Sequence, residues 1–310
     1  INLTHQLTNP KVAGASGDKG IIRWYDYVRI WDEDLAPKSV TAAYADGKEL
    51  DGAKNTDLSF EATVNFSKAV TAEDLNSISV SAGKVTVNSL SAGLMKLGAG
   101  KSKRVALIMS NRIEYILLYF ALFFIGAYPV PVNTRWGKQE IFNVIGDSDS
   151  DIIITEEKIG SHPYGEYVGE FITSHPEVKH VVYFGENHFG DKGITYEDML
   201  ASGEGMTPEL EDIAPDDVAM LSYTSGTTGM PKGVMLKQND IVKISCYTTQ
   251  MWRTEEEEYP FSIAPLYSAQ GFLSLFIDFA IGKTFKMSSS FNPNDILKEI
   301  SKCENTVVHT

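Results

Sequence analysis

Cysteine is scarce in this chain: Cys246 and Cys303 are the only two in 310 residues. Two thiols give no disulfide framework and suit a reducing, cytoplasmic setting. Basic residues are also short, with 27 Lys and Arg against 41 Asp and Glu and a net charge of −14. That balance opposes nucleic acid and anionic membrane surfaces as partners, since both select basic patches. It does not oppose a nucleotide, whose charge is handled locally by a loop and a metal. The six histidines (His5, His162, His175, His180, His188 and His309) lack ligand-like spacing, so none is assigned to metal or catalysis. Residue Ile1 is no ordinary initiator, and no basic start with an apolar core marks a signal peptide.

Long apolar runs are nearly absent too. The exception, residues 115–132 (YILLYFALFFIGAYPVPV), is long enough to span a bilayer. Gly126 interrupts it, Pro129 and Pro131 forbid a helix through its second half, and the charged Arg112 and Glu114 precede it. The expectation is a buried helix over 113–125 and a buried strand over 128–132, with no transmembrane span.

That helix and strand belong to a wider alternation. Residues 104–109 (RVALIM) read as a strand buried on both faces, and Ser110 and Asn111 offer an N-cap for the helix that follows. A polar helix over 138–145, a strand over 151–155, a helix over 164–174 and a strand over 179–184 continue the series. Such spacing predicts an α/β fold, a parallel sheet with helices on both faces. A β-rich segment precedes it: Leu58, Phe60, Ala62, Val64 and Phe66 alternate, and 78–80 and 85–87 repeat the signal. Asp46-Gly47, Asp51-Gly52 and Ala82-Gly83 supply turns between them. The expected division is an unassigned segment over 1–37, a β-rich module or insertion over 38–89, and an α/β domain over 90–310.

What is abundant is a Ser/Thr/Gly-rich stretch, residues 223–234 (YTSGTTGMPKGV). Gly226 and Gly229 let the backbone bring N–H groups close to an anion. Thr224, Ser225, Thr227 and Thr228 add neutral donors, and Lys232 supplies a point charge. Apolar strand-like runs, 218–221 and 234–236, bracket the loop as buried strands, which argues against a flexible linker. It is not the common G-x-x-x-x-G-K-[ST] loop, because Gly233 follows Lys232.

The string resembles the phosphate loop of the adenylate-forming superfamily: acyl-CoA synthetases, peptide-synthetase adenylation domains and luciferases. Residues 92–132 resemble the first αβ units of an acyl-CoA synthetase. Ala264 to Gly271 (APLYSAQG) resembles the strand-to-helix segment bordering the ATP and acyl sites, and 282–284 with Phe291-Asn292-Pro293 resembles the turn and helix start that come next. The resemblance implies that a substrate carboxylate attacks the α-phosphate of ATP and that a thiol such as coenzyme A then displaces AMP. It implies Lys232 as the catalytic candidate, and Thr224, Ser225, Gly226, Thr227, Thr228 and Gly229 as phosphate binders. Tyr267, Ser268 and Gly271 would line the acyl pocket. ATP, Mg2+ and coenzyme A are the implied cofactors and co-substrates, and a fatty or aryl acid is favoured over an amino acid. No protein metal ligand is assigned within the chain.

Two positions depart from the family pattern. Ser268 stands where many acyl-CoA synthetases carry histidine after P-L-F, and Gln238 replaces a histidine common after the loop. The family's later motifs lie beyond Thr310, so the expectation is an incomplete part of a ligase, inactive alone. The string starting at Phe66 resembles bacterial Ig-like surface modules, which leaves an insertion, a fusion or a misassembled gene end open for 1–89. A catalytically silent nucleotide binder, or an interaction protein defined by its β-rich start, are the alternatives. Trp24, Tyr25, Tyr27 and Trp31 read as packing residues rather than a sugar platform, and Glu255 to Glu258 as a solvated face. Nothing in the chain sets an oligomeric state.

Overall fold

The computed structural model describes residues 37–44, 59–66, 87–186, 188–206, 208, 212–224, 230–252, 259–280, 285–288, 292–301 and 306–309. The first strands, β1 (Pro37–Tyr44) and β2 (Ser59–Phe66), pair antiparallel, and β2 carries the alternation expected from Phe60, Ala62, Val64 and Phe66. The aromatic cluster around Trp24, the turn pairs after Asp46, the strand signal at 78–80 and the acidic run 255–258 lie outside the described residues.

Helix α1 (Val87–Lys96) starts where a strand over 85–87 was expected. Val87, Leu90 and Leu94 recur at helical spacing and are all buried, so the 3.6-residue period outweighs one β-branched pair. The alternation then runs as read. The elements are β3 (Arg104–Ile108), α2 (Ile113–Phe124), β4 (Tyr128–Pro131), α3 (Lys138–Asp147), β5 (Ile152–Glu156), α4 (Tyr164–Ser174) and β6 (His180–Phe184). A single 3-10 turn, β7 (Gly193–Thr195) and α5 (Tyr196–Ser202) complete this unit. The apolar run that could have crossed a bilayer is instead α2 and β4. No helix among the described residues is long and apolar enough to cross a membrane.

The five strands order as β4-β3-β5-β6-β7, every neighbouring pair parallel. Side-chain alternation sends each strand's residues to opposite faces. Val105, Leu107, Ile152, Ile154 and Val182 point to the face covered by α1, α2 and α5. Ala106, Ile108, Val130, Ile153 and Val181 point to the face covered by α3 and α4. Both faces are therefore buried, and each fully buried Leu, Ile or Val contributes about 1.5–3 kcal/mol relative to exposure. α1 and α5 cross at backbone contact. A Cβ on Gly93 would lie 2.3 Å from the Met199 carbonyl oxygen, and one on Gly203 would lie 1.9 Å from that of Ser89.

Two further layers follow. β8 (Val218–Thr224) and β9 (Lys232–Lys237) form an antiparallel two-stranded sheet. Next come α6 (Gln238–Trp252), β10 (Tyr259–Ser262), α7 (Ala269–Ala280), β11 (Phe285–Ser288), α8 (Pro293–Ile300) and β12 (Thr306–His309). Asn292 caps α8, accepting from the Asn294 N–H, and Pro293 opens it, matching the expected helix start. The second five-stranded sheet orders as β1-β2-β11-β10-β12: β10 lies parallel to β11 and β12, while β2 joins antiparallel to β11. An aromatic seam between α2 and α7 ties the two sheets together. Tyr119 meets Phe272 edge-on at 5.3 Å, and Phe123 meets Phe276 at 5.8 Å.

Candidate functional site

The β8–β9 hairpin presents the Ser/Thr/Gly-rich loop. Its strands stay in register up to the loop, so Tyr223 pairs with Gly233 and Thr224 with Lys232. Both end residues are exposed; Ser225, Gly226, Thr227, Thr228 and Gly229 lie outside the described residues. The hairpin is anchored on α3 at both sides of the loop. The Tyr223 hydroxyl donates to Asp147 Oδ2 at 2.6 Å, and the Asn143 amide donates to Met230 Sδ at 3.3 Å. Burial, then the Asp147 carboxylate, raise the Tyr223 phenol above its usual range, so it stays a donor. At the other end Lys237 pairs with Asp216 at 3.0 Å.

One expectation is corrected here. The run after the loop is not a buried strand: Val234 is 44% and Met235 67% exposed. β8 packs beside β4 and sends Leu221 and Tyr223 into the core, whereas β9 is an edge among the described residues.

The second expected piece, Ala264 to Gly271, is the turn from β10 into α7. Ser268 is the N-cap of α7. Its hydroxyl donates to the Pro265 carbonyl at 2.7 Å and accepts from the Gly271 N–H at 3.1 Å. Gly271 is required by closeness, since a Cβ there would sit 2.1 Å from the Pro265 carbonyl oxygen. Tyr267 is half-buried beside Thr134 and Arg135, just past β4. Burial raises its phenol, and Arg135 with Thr134 opposes the rise.

The C-terminal ends of β3 and β5 flank the point where strand order reverses, the usual ligand crevice of an open parallel sheet. Here it holds the protein's own groups. Glu156 Oε1 accepts from the Ser110 N–H at 2.6 Å and hydroxyl at 2.7 Å. Arg112 forks onto Glu114 at 2.7 and 2.9 Å, reaches Glu156 at 3.7 Å and stacks 3.9 Å over Phe184. Burial works against the guanidinium charge, but Glu114 and then Glu156 outweigh it and hold the cation firmly protonated. Ser110 and Asn111 were expected to cap α2. Neither does: the cap position is Arg112, in extended conformation and without a side-chain cap bond. Ser110 is drawn away by Glu156, and Asn111 by Ala264 in the turn after β10 and Ser288 at the end of β11. The sequence carried a signal for this network, Arg112 and Glu114 shortly after the apolar run 105–109, but not its partners.

Among the described residues, Glu157, Glu186 and His188 bring one ligand atom each within 4.8 Å of one another, a set that can hold a metal ion. They sit on the loops after β5 and β6, and none belongs to the hairpin. His188 had been assigned no metal role from its local spacing, and the juxtaposition depends on a loop contact that spacing does not encode.

Flanking strands, a hydroxyl-rich loop closed by a lysine and a parallel sheet of this order define an adenylate-forming domain. The profile of the AMP-binding enzyme family matches residues 61–310, and the chain belongs to that family. It is 27% identical over 227 residues to an acyl-CoA ligase, sidI, of Beauveria bassiana, covering 71% of this chain and 39% of that one. It is 31% identical over 157 residues to 4-coumarate–CoA ligase 2 of Oryza sativa subsp. japonica, covering 49% and 27%. Among solved structures, apo MbtA of Mycobacterium smegmatis superposes with a TM-score of 0.66 at 17% identity, over 96% of this chain and 49% of that chain. The last likeness is one of fold. The chain spans less than half the length of the curated relatives it matches.

Proposed function

We propose that these residues form the nucleotide-gripping part of a ligase that activates carboxylic acids with ATP. The observation carrying this reading is the hairpin itself, with Thr224 and Lys232 paired across the mouth of a Ser/Thr/Gly loop inside the span matched by the family. In the proposed reaction a carboxylate oxygen attacks the α-phosphorus, the bond to the bridging oxygen breaks, and pyrophosphate leaves with that oxygen. Negative charge grows on the leaving group, so catalysis rests on positioning and on preorganised donors. Backbone N–H groups over 226–229, with the hydroxyls of Thr224, Ser225, Thr227 and Thr228, would hold the β- and γ-phosphates. Lys232 would offset the charge of departing pyrophosphate. Thr224 and Lys232 suit phosphate oxygens rather than a divalent cation, so magnesium is assigned only to the nucleotide it accompanies.

The turn from Pro265 to Gly271 would form a wall shared by acid and nucleotide. Tyr267 would face that space, and Gly271 lets the turn close. Ser268 acts there through its cap rather than as a free hydroxyl. The second half-reaction would be attack of the coenzyme A sulfur on the acyl carbon, with loss of AMP. The relatives' names, an acyl-CoA ligase and a 4-coumarate–CoA ligase, favour a fatty or aryl acid.

Carboxylate-dependent ATP–pyrophosphate exchange on the purified chain, across short, medium, long and aryl acids, tests the reading. Exchange with any acid supports it and names the substrate class. A folded chain that binds ATP yet exchanges with none, even when joined to the remaining length found in its relatives, overturns it.

A further inference from the structure

Leu266 is fully buried, and both of its backbone polar groups are held by side chains from distant elements. Its N–H donates to Asn111 Oδ1 at 2.8 Å, across 155 residues of sequence. Its carbonyl accepts from the Tyr119 hydroxyl at 2.8 Å, across 147 residues. Asn111 is itself only 3% exposed, and its amide nitrogen also donates to the carbonyls of Ala264 at 3.2 Å and Ser288 at 3.0 Å. Its acceptor and both donors are thereby engaged. One asparagine thus joins three places: the end of β3, the turn before α7, and the end of β11. Tyr119 adds a fourth, since it sits mid-way along α2 with its ring against Phe272 of α7.

These bonds are shielded from water, so losing either partner strands a buried peptide group instead of returning it to solvent. The next residues after Leu266 are Tyr267 and Ser268. Any slack at Leu266 passes directly into that turn, and small displacements of groups that orient a reactant are costly in rate.

We propose that Asn111 and Tyr119 are positioning residues: they clasp the Ala264–Ser268 turn to the parallel sheet and so fix the wall that meets the carboxylic acid. The proposal rests on the adenylation reading and adds two residues that lie outside the loop and the wall. Neither needs to touch a substrate.

Two variants test it with two readouts. Tyr119→Phe removes one oxygen and keeps the ring packing. Asn111→Asp keeps the shape and an acceptor for the Leu266 N–H, but faces two carbonyls with no amide donors. The first readout is amide hydrogen exchange at Leu266, with Val168 of α4 as an internal reference. Exchange at Leu266 should rise about tenfold in Asn111→Asp while Val168 is unchanged. The second readout is pyrophosphate exchange, where the KM for the acid should rise about tenfold and that for ATP stay within about twofold. Ile153→Val, a mild change in the opposite core, is the control for general destabilisation and should move neither KM. Unchanged exchange at Leu266 in both variants would remove the clasp. A faster Leu266 amide with both KM values rising together would reduce it to a stability feature. If the unaltered chain, joined to the remaining length found in its relatives, shows no carboxylate-dependent exchange, the adenylation reading fails and the positioning role falls with it. The Leu266 amide then still decides whether the clasp exists.

Discussion

Thr224 stands opposite Lys232 where β8 and β9 part, the last pair in an antiparallel register that begins near Val218 and Lys237. A hydroxyl and an ammonium are thereby presented at the two ends of one loop, on strands held to α3 by Tyr223 and Asn143. The two ends of the loop are thus held in register before an anion arrives.

Lys232→Ala, made in the chain joined to the remaining length found in its relatives, should lower pyrophosphate exchange by about 10–1000-fold, the range for losing one preorganised charge contact. Lys232 is exposed, so the melting temperature should hold. An exchange rate equal to that of the parent would remove Lys232 from the chemistry.

Ser268→Ala should destabilise the protein by about 1 kcal/mol through loss of the α7 cap. Because the hydroxyl is spent within its own turn, the variant should keep the ranking of acids in the exchange assay. A changed acid preference without a change in the urea midpoint would assign Ser268 to the pocket instead.

These two sites illustrate what the sequence could and could not convey. Helix α4 was legible to the residue, because Tyr164, Val168 and Phe171 repeat at helical spacing and are all buried. The parallel sheet was legible because apolar runs recur between helices. The Ser/Thr/Gly-rich stretch was legible as a string, and the strands on either side of it as apolar runs. The cap at Ser268 had a local signal, a serine directly before an apolar helix, whereas the family resemblance implied a pocket role at that position. The partners of Asn111 were not legible at all, since they lie 153 to 177 residues away and nothing local distinguishes a clasp from a cap. The fate of Val234 and Met235 was hidden for a related reason. Apolar character announces a strand, while burial depends on what packs against it.

Gly203→Ala should cost about 1–3 kcal/mol, the usual range for forcing atoms into a packed contact. The new methyl would meet the Ser89 carbonyl oxygen at 1.9 Å and the Gly93 nitrogen at 2.6 Å, both backbone atoms that cannot rotate away. Gly205, whose Cβ would meet nothing, is not a clean control because its φ is +71°. Gly146 in α3 is the better one: a Cβ there meets open space at ordinary φ, so Gly146→Ala should be neutral or stabilising. Equal urea midpoints for the two variants would mean that α1 and α5 do not cross this closely.

Alkali should destabilise the fold earlier than its titration suggests. Burial pushes the Tyr164 phenol up to about 12, and the same cause raises Tyr115, Tyr119 and Tyr196 further. An unfolded phenol ionises near 10, whereas the folded one stays protonated, so the native state binds the extra proton between those values. Stability is therefore complete below pH 10 and falls as pH rises, by up to about 1.4 kcal/mol per pH unit for each such phenol. Urea midpoints at pH 9, 10 and 11 should trace this slope. Tyr164→Phe should lower stability by about 0.5–1.5 kcal/mol below pH 10, since Tyr164 donates to the Thr134 carbonyl. It should also flatten the fall above pH 10 by one phenol's share. Parallel slopes for parent and variant would show that Tyr164 ionises in the folded protein as freely as in water.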